Sequence, residues 1–426
     1  MTDQGVPDVC QLPTHAQLIG PAEGPVLAVR PSYPLDAIVV PASRPADNLE
    51  SAIDAAKAIG CHLVVLCSFR TDPAELRKLL NDKSLTKATA VEVPGDYDHW
   101  LFGFETTRWA KEGAGKHICA VRKSDLSIKR NIGLVLARML GWNNIFFMDD
   151  DIGEINTDAI LGTVSLLGTE GPADGRYRSA SMAVKDFPDN SVVCHARRQI
   201  GEYQDVFVSG SVLAVDTSAP FDFFPDIYNE DWLFFYRDAA KKCLASSDFK
   251  ARQLPYDPFA DPRRAAGQEF GDVIAEGLYA LLHSKRGTES ADQEYWRMFL
   301  DDRNRILGEI IENSYLARAE MRHEMISAVA AAGETLREIQ PSMCVQYIRA
   351  WRSDLERWGK LLETLPSAGS IEKALHELEL PFTARTPFHF PVPCIHHRLG
   401  VTMITARRHM LATYPWVECV IGPFDF

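Results

Sequence analysis

The sequence predicts an α/β protein: a mostly parallel sheet with flanking helices, followed by a helical C-terminal region. Three observations predict it. Strand-like apolar runs alternate with helix-start signals early in the chain, the pattern of parallel strands joined by crossover helices. One such run, "NNIFFM", opens onto three consecutive carboxylates, Asp149, Asp150 and Asp151; ligands of such sheets collect beyond the carboxyl ends of the strands. Residues 291 to 365 carry helical apolar spacing.

The elements follow in order. Residues 1–34 hold scattered Gly and Pro and read as an irregular lead-in. Ala37 to Val40 reads as a buried strand running into the loop "VPASRP". A helix follows from Asp47, with Glu50 completing a capping box, and stops near Gly60. "CHLVVLCS" (61–68) is the second strand. Asp72, Pro73 and Glu75 spell a helix start, and "ATAVEVP" (88–94) is the third strand. In "SDLSIKRNIGLVLARMLGWNN", Ile128, Ile132, Val135, Leu136, Met139 and Leu140 mark one helix face. Ser124 or Asp125 can cap that helix and Gly141 can end it. Its first turns then contain Lys129 and Arg130, cations where the helix dipole prefers anions. Solvated surface charge explains them; so does an anion bound at the helix N-terminus.

Bulk properties bound the function. The chain has 426 residues, a length that suggests two or three domains or one large domain with an appendage. The formal charge is 45 − 58 = −13, which argues against general nucleic-acid binding while allowing a nucleotide in a locally basic pocket. Nine scattered cysteines without a C-x-x-C pair read as reduced thiols of a cytoplasmic protein. "MTDQGVPDVCQLPTHAQ" has neither a basic n-region nor an apolar h-region, so no signal peptide is expected. No apolar run is long enough for a membrane span.

Three adjacent carboxylates repel; at ~4 Å and an effective dielectric of ~20 each pair costs on the order of 4 kcal/mol before screening. A divalent cation bridging carboxylate and diphosphate oxygens would relieve this and use the nearby cations. The bland alternative is an acidic turn capping the next helix.

"KRNIGLVLARMLGWNNIFFMDDDI" resembles the donor-site segment of GT-A fold glycosyltransferases, especially the family-2-like group: a basic residue and Asn before a helix, then a strand, then a D-x-D motif. "VVPASRP" resembles the first strand and loop that hold the nucleotide, and "VSGSVLAVDTSAPFDFFPDIYNEDW" resembles the acceptor region. The likeness covers about residues 36 to 290. It implies a GT-A type sheet in a catalytic domain at 35–290, with a nucleotide-sugar half (35–151) and an acceptor half (152–290), before the helical region and tail at 291–426. It implies Pro41, Ser43, Arg44, Lys129, Arg130, Asn131, Asp149 and Asp150 at the nucleotide sugar. Asp149 and Asp151 would hold Mn²⁺ or Mg²⁺, with a downstream histidine: His283 first, then His195, His396 or His397. Ser209 and Gly210 fall in the acceptor region.

Glu230 and Asp231 are candidates for the base that deprotonates an acceptor hydroxyl, or simply an acidic pair stabilising a helix start. Arg197-Arg198 and Arg263-Arg264 suit phosphate or carboxylate, so Arg197, Arg263 and Arg264 are acceptor candidates; the second pair is read as part of the Pro-rich loop 255–262, a cover over the site. Solvated surface arginines explain the pairs equally well. Residues 291–365 read as two or three helices packed on the catalytic domain or at a homodimer contact. The tail from "PFHFPVPC" onward reads as extended and turn-rich.

The expected function is metal-dependent transfer of a sugar from a nucleotide diphosphate sugar to a small, soluble acceptor, with a phosphorylated or acidic acceptor accounting for the arginine pairs. A sugar-phosphate nucleotidylyltransferase would want a Gly-rich loop after the first strand, and "VVPASRP" has no glycine. A non-catalytic nucleotide-sugar-binding or scaffold protein would have less use for intact carboxylates.

Overall fold

The computed structural model describes His15, Leu18–Ile19 and residues 34–171, 175–185, 187–188, 190–204, 208–385 and 417–419. Ten strands form one sheet: β1 (Ala37–Ala42), β2 (His62–Cys67), β3 (Ala88–Glu92), β4 (Asn144–Met148), β5 (Ile152–Glu154), β6 (Ser179–Lys185), β7 (Val212–Asp216), β8 (Leu244–Gln253), β9 (Phe382–Arg385) and β10 (Val417–Cys419). Their order is β10-β9-β3-β2-β1-β4-β7-β6-β8-β5. β1 to β4 are mutually parallel, β7 opposes both β4 and β6, and β8 runs with β6. β5 and β9 oppose β8 and β3, and β10 opposes β9. Seven of the ten strands, β1 to β4, β6, β8 and β10, therefore share one direction, and the fold is mixed α/β with a mostly parallel sheet.

The central strands are apolar throughout because both faces are covered. Ile38, Val40, Phe146 and Met148 face a layer made with α1 (Glu50–Ile59), α2 (Pro73–Asp82) and α6 (Thr157–Val164). Val39 and Phe147 face the other layer, which holds α5 (Leu126–Leu140), α8 (Glu230–Ala240) and α9 (Pro262–His283). This second core runs without a break into α10 (Gln293–Glu312), α11 (Arg322–Glu338), α12 (Pro341–Thr364) and α13 (Ile371–Glu377). The helical region is thus packed on the sheet domain. One polar staple joins them. Asp354 on α12, fully buried, accepts from the amides of Glu105 (2.7 Å) and Thr106 (2.8 Å) and from the Thr106 hydroxyl (2.8 Å), capping α3 (Glu105–Lys111) from a distant element.

Most local signals hold. Gly60 and Gly141 end α1 and α5 in the left-handed region, at φ 79° and 67°. Asp72 caps α2 through the amide of Ala74, with Pro73 in the first turn. The expected capping box at Asp47 is absent; a 3-10 turn over Ala46–Leu49 leads into α1 without a side-chain cap. Arg263 and Arg264 are not in a loop: Asp261 caps α9, so both lie in the first turn of a 22-residue helix. His396 and His397, and most of the lead-in and tail, lie outside the described residues. No helix among the described residues is long and apolar enough to cross a membrane.

Candidate functional site

The chain lays down β1, β2 and β3 to one side, then places β4 on the other side of β1. Where strand order reverses in this way, the two loops leaving the strand ends diverge and open a crevice. Here those loops are Ser43–Arg44 after β1 and Asp149–Asp151 after β4.

Two arginines hold the three aspartates, which answers how three like charges are tolerated. The Asp150 carboxylate accepts from the backbone amides of Ser43 (2.6 Å) and Arg44 (2.8 Å) and pairs with the Arg44 guanidinium. Asp151 pairs with the other Arg44 nitrogen (3.0 Å) and accepts from Gln253 (3.4 Å). Asp149 receives Arg130 Nη2 on both oxygens (2.9 and 3.0 Å).

Arg130 is the clasp of the site. Its other terminal nitrogen donates to Glu230 Oε1 at 2.7 Å, tying the end of β4 to the start of α8. Burial alone would favour the neutral form, but Asp149, Glu230 and Asp231 outweigh it and hold Arg130 more firmly charged than usual. Gly210 makes room: a Cβ there would fall 2.8 Å from Arg130 Nη1. The Gly210 amide donates to Asp231 Oδ2 (2.8 Å). Before Glu230, Asn229 adopts φ 60°, and its side chain donates to Asp272 (2.9 Å), which pairs with Arg303 of α10 (2.9 Å).

Three expected ligand contacts turn inward instead. The Lys129 ammonium is buried on Ala42 O (2.7 Å), Ser68 Oγ (2.6 Å) and Asp125 (3.0 Å), binding the ends of β1 and β2 to the helix; burial lowers its pKa against the pull of Asp125. Asn131 spans the backbone of Phe224, donating to its carbonyl (2.7 Å) and accepting from its amide (2.8 Å). Pro41 is a strand residue within β1. The reason is common to Lys129 and Asn131: α5 packs between β1 of the sheet and α13, and residues 129–137 are all buried. His283 is also placed elsewhere. Its Nε2 meets His15 Nδ1 at 2.8 Å, with Glu276 3.5 Å from the second His15 nitrogen. It does not join Asp149 and Asp151 in a metal-holding group. His195 stacks on Phe187, and burial first, then Arg198 and Arg264, pulls its pKa down to about 4.

A cleft of about 600 Å³ opens over this floor. Arg130, Asp149, Arg197, Ser209, Glu230, Asp231, Arg263 and Arg264 line it, eight residues singled out from sequence. Arg122, Lys123, His15, Asp272 and Arg303 line it too and were not anticipated. Arg122 and Lys123 had a signal, a basic pair directly before a helix start; Arg303 had none. A second cleft of about 880 Å³, beyond β2 and β3, shares Arg122, Lys123, Ser124, Tyr228 and Gly267 with the first, so the two are joined. Phe69, 70% exposed, stands at its edge.

Among the described residues no three His, Cys, Asp or Glu side chains are grouped to hold a metal ion. Mg²⁺-type cations, however, are commonly held by one or two carboxylates plus substrate phosphates. Asp149 and Asp151 offer hard oxygens of that kind. Beside Asp151, the buried Gln253 Oε1 has no donor among the described residues. Five carboxylates (Asp149 to Asp151, Glu230, Asp231) are set against Arg44, Arg130 and Arg122, an excess of negative charge that suits a divalent cation. The donor set therefore fits such an ion without His283.

No protein-family model matches the chain, and no curated protein is detectably similar to it.

Proposed function

We propose that this chain is a glycosyltransferase of the GT-A type, moving a sugar from a nucleotide diphosphate sugar to a small acceptor. One observation carries the reading: at the reversal point of the sheet, Asp149, the first of the three carboxylates after β4, and the Glu230–Asp231 pair meet across Arg130 on the floor of one cleft. That juxtaposes a place for a leaving diphosphate with a place for a nucleophile, the two needs of group transfer.

The residues divide the work. Asp149 and Asp151 would hold Mn²⁺ or Mg²⁺, which when bound neutralises charge developing on the departing diphosphate. Arg44, whose side chain is 38% exposed, is the partner free to swing from the carboxylates toward a phosphate. Glu230 is committed to Arg130 and sits 3.6 Å from Arg122, so its role is to fix the clasp. Asp231 lines the cleft with its carboxylate aimed by the Gly210 amide, and takes the proton of the acceptor hydroxyl. The adjoining cleft, with Phe69 at its edge, offers a flat apolar ring for a nucleobase.

The test is to incubate the full chain with a panel of nucleotide sugars and Mn²⁺ and follow release of nucleoside diphosphate with and without candidate acceptors. Release that depends on one sugar nucleotide and is stimulated by an acceptor supports transfer. Pyrophosphate formed from a sugar phosphate and a nucleoside triphosphate would reassign the site to nucleotidyl transfer.

A further inference from the structure

The 600 Å³ cleft is polarised. Its buried end carries Glu230, Asp272 and the partly buried Asp231. Its exposed lining carries Lys123, Arg263 and Arg264. These cations differ in how committed they are. Arg263 forks onto Asp261, whereas Arg264 sits over the Tyr256 ring, its guanidinium carbon 4.4 Å from the centroid, and feels Asp261 only through space, a carboxylate already engaged by Arg263. Among the described residues neither Arg264 nor Lys123 has a carboxylate within ion-pair distance. Two such cations converge on one cleft of a chain whose net charge is −13. A neutral ligand would give them no counter-charge, and a cationic one would be repelled.

We infer that the acceptor is an acidic hydroxy compound, a phosphorylated or carboxylated polyol, whose anion is held at the cleft mouth by Arg264 and Lys123 while a hydroxyl reaches down to Asp231. The hydroxyl end rests on the proposed glycosyl transfer; the anion site stands on the cleft alone. The two cations differ in their use. Arg264 presents a planar fork, preorganised on Tyr256, that matches two oxygens of one phosphate or carboxylate. Lys123 adds a point charge from the turn before α5.

The test is calorimetric titration of the full chain with glycerol 3-phosphate and inorganic phosphate, with glycerol as the neutral control, in the native protein and in the Arg264→Ala, Lys123→Ala and double variants. Nucleoside diphosphate is titrated into each in parallel. The expected result is binding of both phosphates but not of glycerol. Each single variant should weaken phosphate binding by roughly ten- to a hundredfold, and the double variant should abolish it, with nucleoside diphosphate affinity changed less than about twofold in Arg264→Ala, whose side chain lines the first cleft and not the second. Absent phosphate binding, or binding indifferent to both substitutions, overturns the inference. So does a parallel loss of nucleoside diphosphate affinity in Arg264→Ala, which would assign that cation to the donor. Phosphate binding that depends on Arg264 and Lys123 in a protein that releases nucleoside diphosphate from no sugar nucleotide would retain the anion site and remove the transferase reading.

Discussion

Replacing Arg130 by methionine keeps most of the volume and deletes the charge. The side chain is 2% exposed and sits between Glu230, 6% exposed, and Asp149, 19% exposed. Each pair at ~3 Å contact has a Coulomb energy of several kcal/mol at an effective dielectric of ~20. Most of that is offset in the native protein by desolvation of the ions. In the variant the desolvated carboxylates remain and the compensation is gone, which places the loss at about 3–5 kcal/mol, the usual cost of breaking a buried pair from one side. A further result follows from the same cause. Neutralising one carboxylate as well, in Arg130→Met/Glu230→Gln, should recover on the order of 1–3 kcal/mol in a double-mutant cycle. Urea unfolding of the native protein, the two single variants and the double variant measures both. A loss under about 1 kcal/mol in Arg130→Met, or no recovery in the double variant, would refute the clasp.

Asp231→Asn should lower kcat by roughly 10²–10⁴-fold with donor affinity little changed, whereas Glu230→Gln should act mainly on stability; steady-state kinetics beside melting curves separates the two, and equal kinetic losses would put the base elsewhere. If Asp149 and Asp151 take a divalent cation, a nucleoside diphosphate should raise the melting temperature more with Mn²⁺ than with chelator, and Asp151→Asn should erase that difference; a shift identical in both conditions removes the metal from the site. Asp354→Ala should cost on the order of 2 kcal/mol or more, because three donors at the start of α3, the two of Thr106 buried, lose their acceptor; an unchanged urea midpoint would show that water replaces it. His195, with a folded pKa of about 4 against 6.5 ordinarily, stays neutral in the fold while the unfolded chain takes up a proton. Its contribution is intact above pH ~6.5 and lost as pH falls toward ~4, so His195→Gln should flatten the stability–pH slope in that window, and an unaltered slope would mean the histidine is solvated.

What the sequence by itself determined was what depends on near neighbours along the chain. Gly60 and Gly141 stop helices because they enter the left-handed region without a Cβ clash. Asp72-Pro73 starts one because cap and first-turn geometry are set within a few residues. The apolar runs at β1, β2 and β4 declare strands buried on both faces, and the aspartates that follow β4 must then lie at the ligand edge of the sheet. Tertiary structure decided which neighbouring side chain does what. Lys129, Arg130 and Asn131 are consecutive and equally polar, yet one fastens strand ends, one clasps two carboxylates and one grips the Phe224 backbone. Periodicity could not separate them, because α5 is enclosed nearly all round and has no solvent face to contrast with a core face. Arg303, Asp272 and His15 reach the cleft from elements far apart in the chain, brought there by the core that α9 and α10 share. An ion pair needs its partner within a few ångströms, and over separations of 100 residues, as between Arg130 and Glu230, only the packing of the fold sets that distance.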